Sequence, residues 1–318
     1  MTGLASGRVA VIDVGTNTVL LTVAERRGPS FHPVVERAEI TRLGRGVDRT
    51  GQLDPAAIAE TVAVIARYAE EARSLGARRI AAVATSAARD ARNGAAFFEA
   101  CRAAAGIAPE IIAGGEEARL VHLSAWADFG AAAGRLAVLD VGGGSSEVTW
   151  GRGPVPEGRR SFQMGAVRLT ERAAPGDPPS RADLERMEEM ALGALSEVAE
   201  IRASGALSGA RLVAVAGTVT TLAAVAQALP AYDALRVHGS VLGRGELSAL
   251  LARLAALPSA ERARLPGMEP KRADVIVAGG ILVAAAMDLS GFDELIVSDR
   301  GVRWGLLHDR FGAGGPGA

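Results

Sequence analysis

The segment VIDVGTNTVLLTV near the start of the chain is echoed by VLDVGGGSSEVTW in its middle. With Asp13 laid on Asp140, Gly15 falls on Gly142 and Thr18 on Ser145. Each copy reads as an apolar strand ending in an aspartate, a tight turn of small residues, and a second alternating strand. Such a turn exposes backbone N–H groups beside a carboxylate, which suits a phosphate with a divalent metal. Two copies predict two related domains that close on one phosphate chain from opposite sides.

The pattern between the copies supports this. Strands expected over 8–14, 18–26 and 33–40 form a meander. A helix is expected from Pro55 to Leu75, with Asp54 as N-cap, Pro55 at the first helical position and Gly76 just past the end. A strand at 79–85, a helix near 94–105, a strand at 109–113 and a helix from Glu116 to Phe129 complete the first unit. The second unit repeats the meander over 136–141, 145–150 and 159–164, followed by helices within 181–204 and a strand at 211–216 leading into a helix. A helix near 245–256 comes next. The apolar run VIVAGGILVAAAMDL reads as a strand or helix start passing into a helix, before the strand ELIVSDRG and a short C-terminal helix. The expected domains are 1–128 and 129–304, with a hinge within 120–134, and a final helix and frayed tail over 305–318.

Composition excludes several classes. The net charge is −1, so any polyanion site is local rather than a property of the whole surface. Aromatic residues make up 4% of the chain, too few for the stacking platforms of a nucleic-acid binder. No stretch of 18 uncharged apolar residues is present and the start lacks a signal-peptide pattern, so no membrane partner is expected and the cytoplasm is. Cys101 stands alone in EACRAAA, with nothing near it in sequence to lower a thiol pKa. The four histidines show no metal-ligand spacing. Lys271 is the single lysine, a bias that the Ala- and Gly-rich composition explains.

The candidate site residues lie at turns. In DVGTNT, Gly15 is expected to permit an unusual backbone angle, and Thr16, Asn17 and Thr18 offer donors to phosphate. In DVGGGSSE, three consecutive glycines (Gly142, Gly143, Gly144) and Ser145 carry an entropic cost that close approach to a ligand would justify. Asp140 and Glu147 flank that loop and could hold magnesium through water, with Asp13 as the matching carboxylate of the first copy. In VAVAGTVTTLA a strand is expected to end at Gly217 and Thr218 to open a helix whose N-terminus suits phosphate. In GGEEARL, two glutamates occupy the first turn of a helix, where the dipole keeps them ionised and fit to orient water. Arg42, Arg45, Arg89, Arg92, Arg168, Lys271 and Arg272 sit mostly at strand-to-helix turns, where ligands of α/β folds bind.

Taken in order, DVGTNTVLL, ATSAARDARN, GGEEARL, DVGGGSSE and MGAVRLTE resemble the exopolyphosphatase / guanosine pentaphosphate phosphohydrolase (Ppx/GppA) family from about Arg8 to Leu307. The resemblance implies an α/β fold of duplicated ribonuclease-H-like domains of the actin and sugar-kinase type, with mixed sheets flanked by helices and an interdomain cleft. It implies magnesium-dependent hydrolysis of a terminal phosphate, with a monovalent cation left open as a second cofactor. It assigns the water-aligning role to Glu117 and the organising of metal and phosphate to Asp140 and Glu147. Gly142 to Ser145 and Gly217 to Thr218 would donate to phosphate oxygens, and arginines would line the path of the remaining polyanion. Thr16 and Thr18 stand where serines are common, which keeps the hydroxyl, and the longer members' C-terminal helical region has no counterpart here.

Inorganic polyphosphate is the expected substrate and pppGpp the alternative with the same chemistry. A kinase of the same superfamily and a polyphosphate or alarmone sensor without turnover are the other readings. A homodimer follows from the family analogy.

Overall fold

The computed structural model describes residues 7–28 and 30–312, so the expected frayed tail lies outside the described residues apart from Gly312. The chain divides into two compact units. The first holds the residues up to Leu120 together with those from Val302 onward; the second runs from Val121 to Gly301.

The first unit is built on a five-stranded sheet in the order β3-β2-β1-β4-β5. The strands are β1 (Arg8–Val14), β2 (Thr18–Arg27), β3 (Ser30–Ile40), β4 (Ala77–Ala84) and β5 (Glu110–Ile111). β1, β2 and β3 form the antiparallel meander, and β4 and β5 add in parallel. The second unit has the order β10-β11-β9-β6-β7-β8. Its strands are β6 (Leu136–Val141), β7 (Ser146–Gly151), β8 (Gly158–Phe162), β9 (Arg211–Val215), β10 (Val241–Gly243) and β11 (Glu294–Val297). β6, β7 and β8 repeat the meander, and β9 and β11 follow in parallel. Apart from the short antiparallel edge strand β10, the second sheet has the topology of the first. This is the duplicated ribonuclease-H-like fold, and the repeat in the sequence is a repeat in strand order.

The central strands explain why. β6 is buried at every position and β1 over its last five residues, so both read as continuous apolar runs rather than alternating ones. Helices cover them. The helix Pro55–Ser74 starts where the sequence places it: Asp54 Oδ1 accepts from Ala56 N at 2.8 Å and Ala57 N at 3.1 Å, and Gly76 takes the left-handed conformation (φ 82°) past the end. In the second unit the helix Ile276–Ser290 is buried on all sides from Ile276 to Met287. It is helical throughout, which settles the apolar run whose period left strand and helix open. None of the helices among the described residues is long and apolar enough to cross a membrane.

Three elements differ from expectation. Short helices at Ser86–Asp90 and Ala166–Ala173 fill stretches for which the sequence predicts no element. The helix Gly114–Ala125 ends in a π-turn at Trp126–Gly130, where a Cβ on Gly130 would lie 2.4 Å from the Trp126 ring. The division at Leu120 falls inside the helix Gly114–Ala125, ahead of the expected boundary at 128, and the final helix Val302–Phe311 joins the first unit.

Packing accounts for that last placement. Trp304 Nε1 donates to Glu36 Oε1 at 3.0 Å and Arg119 Nη2 to Asp309 Oδ1 at 2.7 Å. A Cβ on Gly305 would lie 1.9 Å from the Leu120 carbonyl oxygen, so helix and backbone meet with no room for a side chain. Gly305→Ala is expected to cost about 1–3 kcal/mol of stability, the usual scale of overpacking, read as a lower midpoint in urea unfolding.

Candidate active site

The twin turns share one geometry. Gly15 N donates to Thr18 O at 2.9 Å, and Gly142 N donates to Ser145 O at 3.0 Å. A Cβ on Gly15 would lie 3.1 Å from Thr18 O, and one on Gly142 would lie 3.2 Å from Ser145 O. A side chain at either position would sit tighter than an ordinary contact, so the close approach favours glycine. None of Gly15, Gly142, Gly143 and Gly144 has a positive φ, which corrects the expectation of an unusual angle at Gly15.

In each unit the segment behind the turn takes up its carbonyls. Asn17 O accepts from Thr41 N at 3.1 Å and Arg42 N at 3.0 Å, and Thr16 O accepts from Gly44 N at 2.8 Å. Arg42 adopts a left-handed φ of 53° to make that return. In the second unit Gly142 O accepts from Ala166 N at 2.9 Å, and Gly143 O from Val167 N at 2.9 Å and Arg168 N at 3.2 Å. A trans peptide points its N–H away from its own C=O. The N–H groups of Asn17, Thr18, Gly143 and Gly144 therefore face away from the backing segments, as an anion-binding turn requires.

The first unit adds an acid and a base. Of the two glutamates opening the helix Gly114–Ala125, Glu116 accepts from Arg119 Nε at 2.8 Å and Nη2 at 2.6 Å, and Arg119 is also held by Asp309. Glu117 is buried (7% exposed) and lies 3.6 Å from Arg89 Nη1. Arg89 Nη1 also donates to Ile112 O at 2.8 Å, while its buried Nη2 meets no acceptor among the described residues. Arg89 comes from the short helix Ser86–Asp90, and Ala87 of that helix packs with Thr16 around Gly44, where a Cβ would lie 2.3 Å from Thr16 Cγ2. Arg92 and Asn93 serve structure: Arg92 Nη2 donates to Thr50 O at 2.9 Å, and Asn93 exchanges hydrogen bonds of 2.8 and 2.9 Å with Leu53. Arg42 is half-buried and Arg45 exposed.

The second unit holds paired carboxylates. Asp140 and Glu147 stand directly opposite on β6 and β7 and so share a face of the sheet. Asp140 is 5% exposed and Glu147 1%. Burial pushes the Asp140 carboxyl up to about 7, the penalty for a negative charge out of water. Glu147 Oε1 accepts from Ser161 Oγ at 2.7 Å.

The strand β9 ends at Val215 and the next helix begins at Ala216, one residue before Gly217, with Ala216 at a left-handed φ of 77°. Thr218 lies inside that helix rather than opening it, and its Oγ1 donates to Val141 O at 3.2 Å. The guanidinium of Arg272 lies on Gly217, where a Cβ would be 2.1 Å from Nη2, and burial pushes the Arg272 pKa down. Lys271 is exposed, and Arg168 is half-buried with its backbone spent on Gly143. Cys101 is buried with its thiol pushed up to about 12, so it offers no nucleophile.

The chemistry of these donors fits magnesium. No group of three or more His, Cys, Asp and Glu able to cage a metal occurs among the described residues. Magnesium keeps several waters and binds through one or two carboxylates plus substrate phosphates. A buried pair such as Asp140 and Glu147 would supply those two, and a cation there would offset the cost of burying their charge.

The chain matches the Ppx/GppA phosphatase family over residues 22–312. It belongs to that family. It is 38% identical to exopolyphosphatase 2 of Mycobacterium tuberculosis, with 95% of this chain and 98% of the relative aligned. It is 32% identical to exopolyphosphatase 1 of Mycobacterium bovis over 94% of this chain and 87% of the relative. Among solved structures, the Ppx/GppA enzyme of Aquifex aeolicus superposes with a TM-score of 0.80 at 34% identity, covering 95% of this chain and 99% of that one.

Within this Ppx/GppA chain, Ser161, Gly44 and Gly165 escape a reading of sequence alone. Gly165 carries no positive φ, and its need shows only in space: a Cβ there would lie 2.5 Å from Gly143 C and 2.7 Å from Gly142 O. Gly165→Ala is expected to displace the glycine turn and to slow phosphate release by about 10²-fold, the scale of a small misplacement of reacting groups, measured as kcat beside an unchanged far-UV circular dichroism spectrum.

Proposed function

We propose that this chain is an exopolyphosphatase that removes the terminal phosphate of inorganic polyphosphate with Glu117 as the group that orients the attacking water. The observation that carries this reading is the sorting of the two adjacent glutamates. Glu116 is engaged by Arg119, while Glu117 is buried beside Arg89, whose Nη2 is available to a phosphate oxygen. Exopolyphosphatase relatives aligned over nearly the whole chain support the substrate class.

Phosphoryl transfer passes through a loose transition state and asks chiefly for positioning and charge stabilisation. The turn amides of Asn17, Thr18, Gly143 and Gly144, with Gly217 and Thr218 N–H, bind phosphate oxygens and cost no reorganisation during reaction. Asp140 and Glu147 would hold magnesium, which when bound would neutralise phosphate charge, and Asp13 is the matching carboxylate of the first turn. Glu117 accepts a hydrogen bond from water and takes its proton as the new P–O bond forms. The bond from that phosphorus to the bridging oxygen breaks, which yields orthophosphate and a chain one phosphate shorter. Arg42, Arg45, Arg168, Lys271 and Arg272 serve the remaining anion, with Arg272 sharing the helix N-terminus at Gly217.

Glu117→Gln keeps the shape and loses the proton acceptor. It is expected to retain polyphosphate binding and to lower turnover by about 10²-fold or more, assayed as orthophosphate release from short and long polyphosphate. Undiminished turnover would reassign the water-orienting role, and faster release from pppGpp than from polyphosphate in the same assay would reassign the substrate. Chelation with EDTA is expected to abolish release by the wild type, and added Mg²⁺ to restore it.

A further inference from the structure

We infer that Ser161 is a positioning residue for Glu147, and that the segment from Ser161 to Arg168 aims the second unit's carboxylates and glycine turn at a divalent cation. This rests on the reading of Asp140 and Glu147 as the cation-holding pair.

The argument begins with register. Asp140 stands opposite Glu147 across β6 and β7, and Glu147 stands opposite Ser161 across β7 and β8. Side chains directly opposite on neighbouring strands lie on one face, so the three form a row across the sheet. At its end Ser161 Oγ donates to Glu147 Oε1 at 2.7 Å. A glutamate has three side-chain torsions to fix, and ordering one costs rotamer entropy. The serine hydroxyl fixes this one while adding no positive charge. The bond restricts where Oε1 can lie, and with it the direction in which the carboxylate faces.

The same segment holds the rest of the loop. Ser146 Oγ donates to Met164 O at 2.7 Å, so the residue before Glu147 is tied to the strand-to-helix turn. Gly165 packs on Gly143, and the N–H groups of Ala166, Val167 and Arg168 take up the carbonyls of Gly142 and Gly143. Ser161 is thus one part of a continuous backing, and its hydroxyl reaches a carboxylate.

The test compares wild type, Ser161→Ala and Ser161→Thr as whole chains. Mn²⁺ alone is the probe, with free Mn²⁺ counted by electron paramagnetic resonance. Melting temperature and the Mg²⁺ dependence of phosphate release are read beside it. Ser161→Ala is expected to weaken Mn²⁺ binding and raise the half-saturating Mg²⁺ concentration by about 10-fold, the scale for loss of a group that orients a metal ligand. KM for polyphosphate at saturating Mg²⁺ is expected to stay near the wild-type value, and Ser161→Thr, which keeps the hydroxyl, to recover most of the Mn²⁺ affinity. Equal Mn²⁺ binding by wild type and Ser161→Ala would overturn the inference, as would a Ser161→Thr variant as weak as Ser161→Ala, or a wild type that binds no Mn²⁺. A wild type that releases no phosphate from polyphosphate, yet shows the expected Mn²⁺ loss in Ser161→Ala, would sink the substrate reading and leave this one standing.

Discussion

A single hydrogen bond, from a glycine N–H to the carbonyl three residues on, closes both turns that the rest of the molecule serves. Gly15 makes it to Thr18 and Gly142 to Ser145. It bends the chain sharply enough that an aspartate at a strand end stays beside the turn's amides. The bond alone leaves the turn's remaining carbonyls needing donors, since buried backbone groups go unpaired only at a cost. Each unit meets that need from one side: the loop Thr41–Gly44 in the first, and the helix start at Ala166–Arg168 in the second. With the carbonyls engaged from behind, the amides are left pointing forward. Orientation of the amides is therefore set by packing on the far side, before any anion arrives.

That arrangement explains why the duplicated fold recurs around the turns. In both sheets the central strand carries the aspartate, an antiparallel meander lies on one side and a parallel strand on the other. The parallel partner matters to the site. Asp13 lies beside Val83 of β4, and Asp140 beside Val215 of β9. β4 leads into Ser86–Asp90 with Arg89, and β9 leads into the helix that opens at Ala216. Each sheet thus delivers a turn and a helix start at the same end of neighbouring strands, where ligands of open α/β sheets bind.

What was legible in the sequence were features whose cause is local. Asp54, Pro55 and Gly76 cap a helix by chemistry within a few residues of themselves, and the structure places them so. The repeated aspartate and glycine turn is visible because both copies answer the same local demand. Features set by distant partners were not legible. The helix Ala166–Ala173 begins where the carbonyls of Gly142 and Gly143 await its N–H groups, more than twenty residues away in the chain. Ser161 acquires meaning only from the β7–β8 register, and Gly44 only from the methyl of Thr16. The run from Ile276 to Met287 is apolar and buried on every side, so it carries no period to separate helix from strand. The unit boundary at Leu120 was hidden because one continuous helix runs across it.

The two copies are not equivalent, and the difference follows from a few side chains. The position opposite Asp13 is Leu20, whereas the position opposite Asp140 is Glu147. The first turn keeps the side chains of Thr16, Asn17 and Thr18. The second is bare at Gly143, on which Gly165 packs so closely that a Cβ on Gly165 would lie 2.5 Å from Gly143 C. The first unit instead places its second carboxylate, Glu117, on a helix beside Arg89. A carboxylate next to a guanidinium is well placed to accept a hydrogen bond from water and to release a proton afterwards. Two carboxylates side by side repel each other, and burial raises the cost further. Protonation or a nearby cation relieves that cost, and burial pushes the Asp140 carboxyl up to about 7. The two copies thus differ in where the second carboxylate sits: on a helix, as Glu117, in the first unit, and across the strand pair from Asp140, as Glu147, in the second.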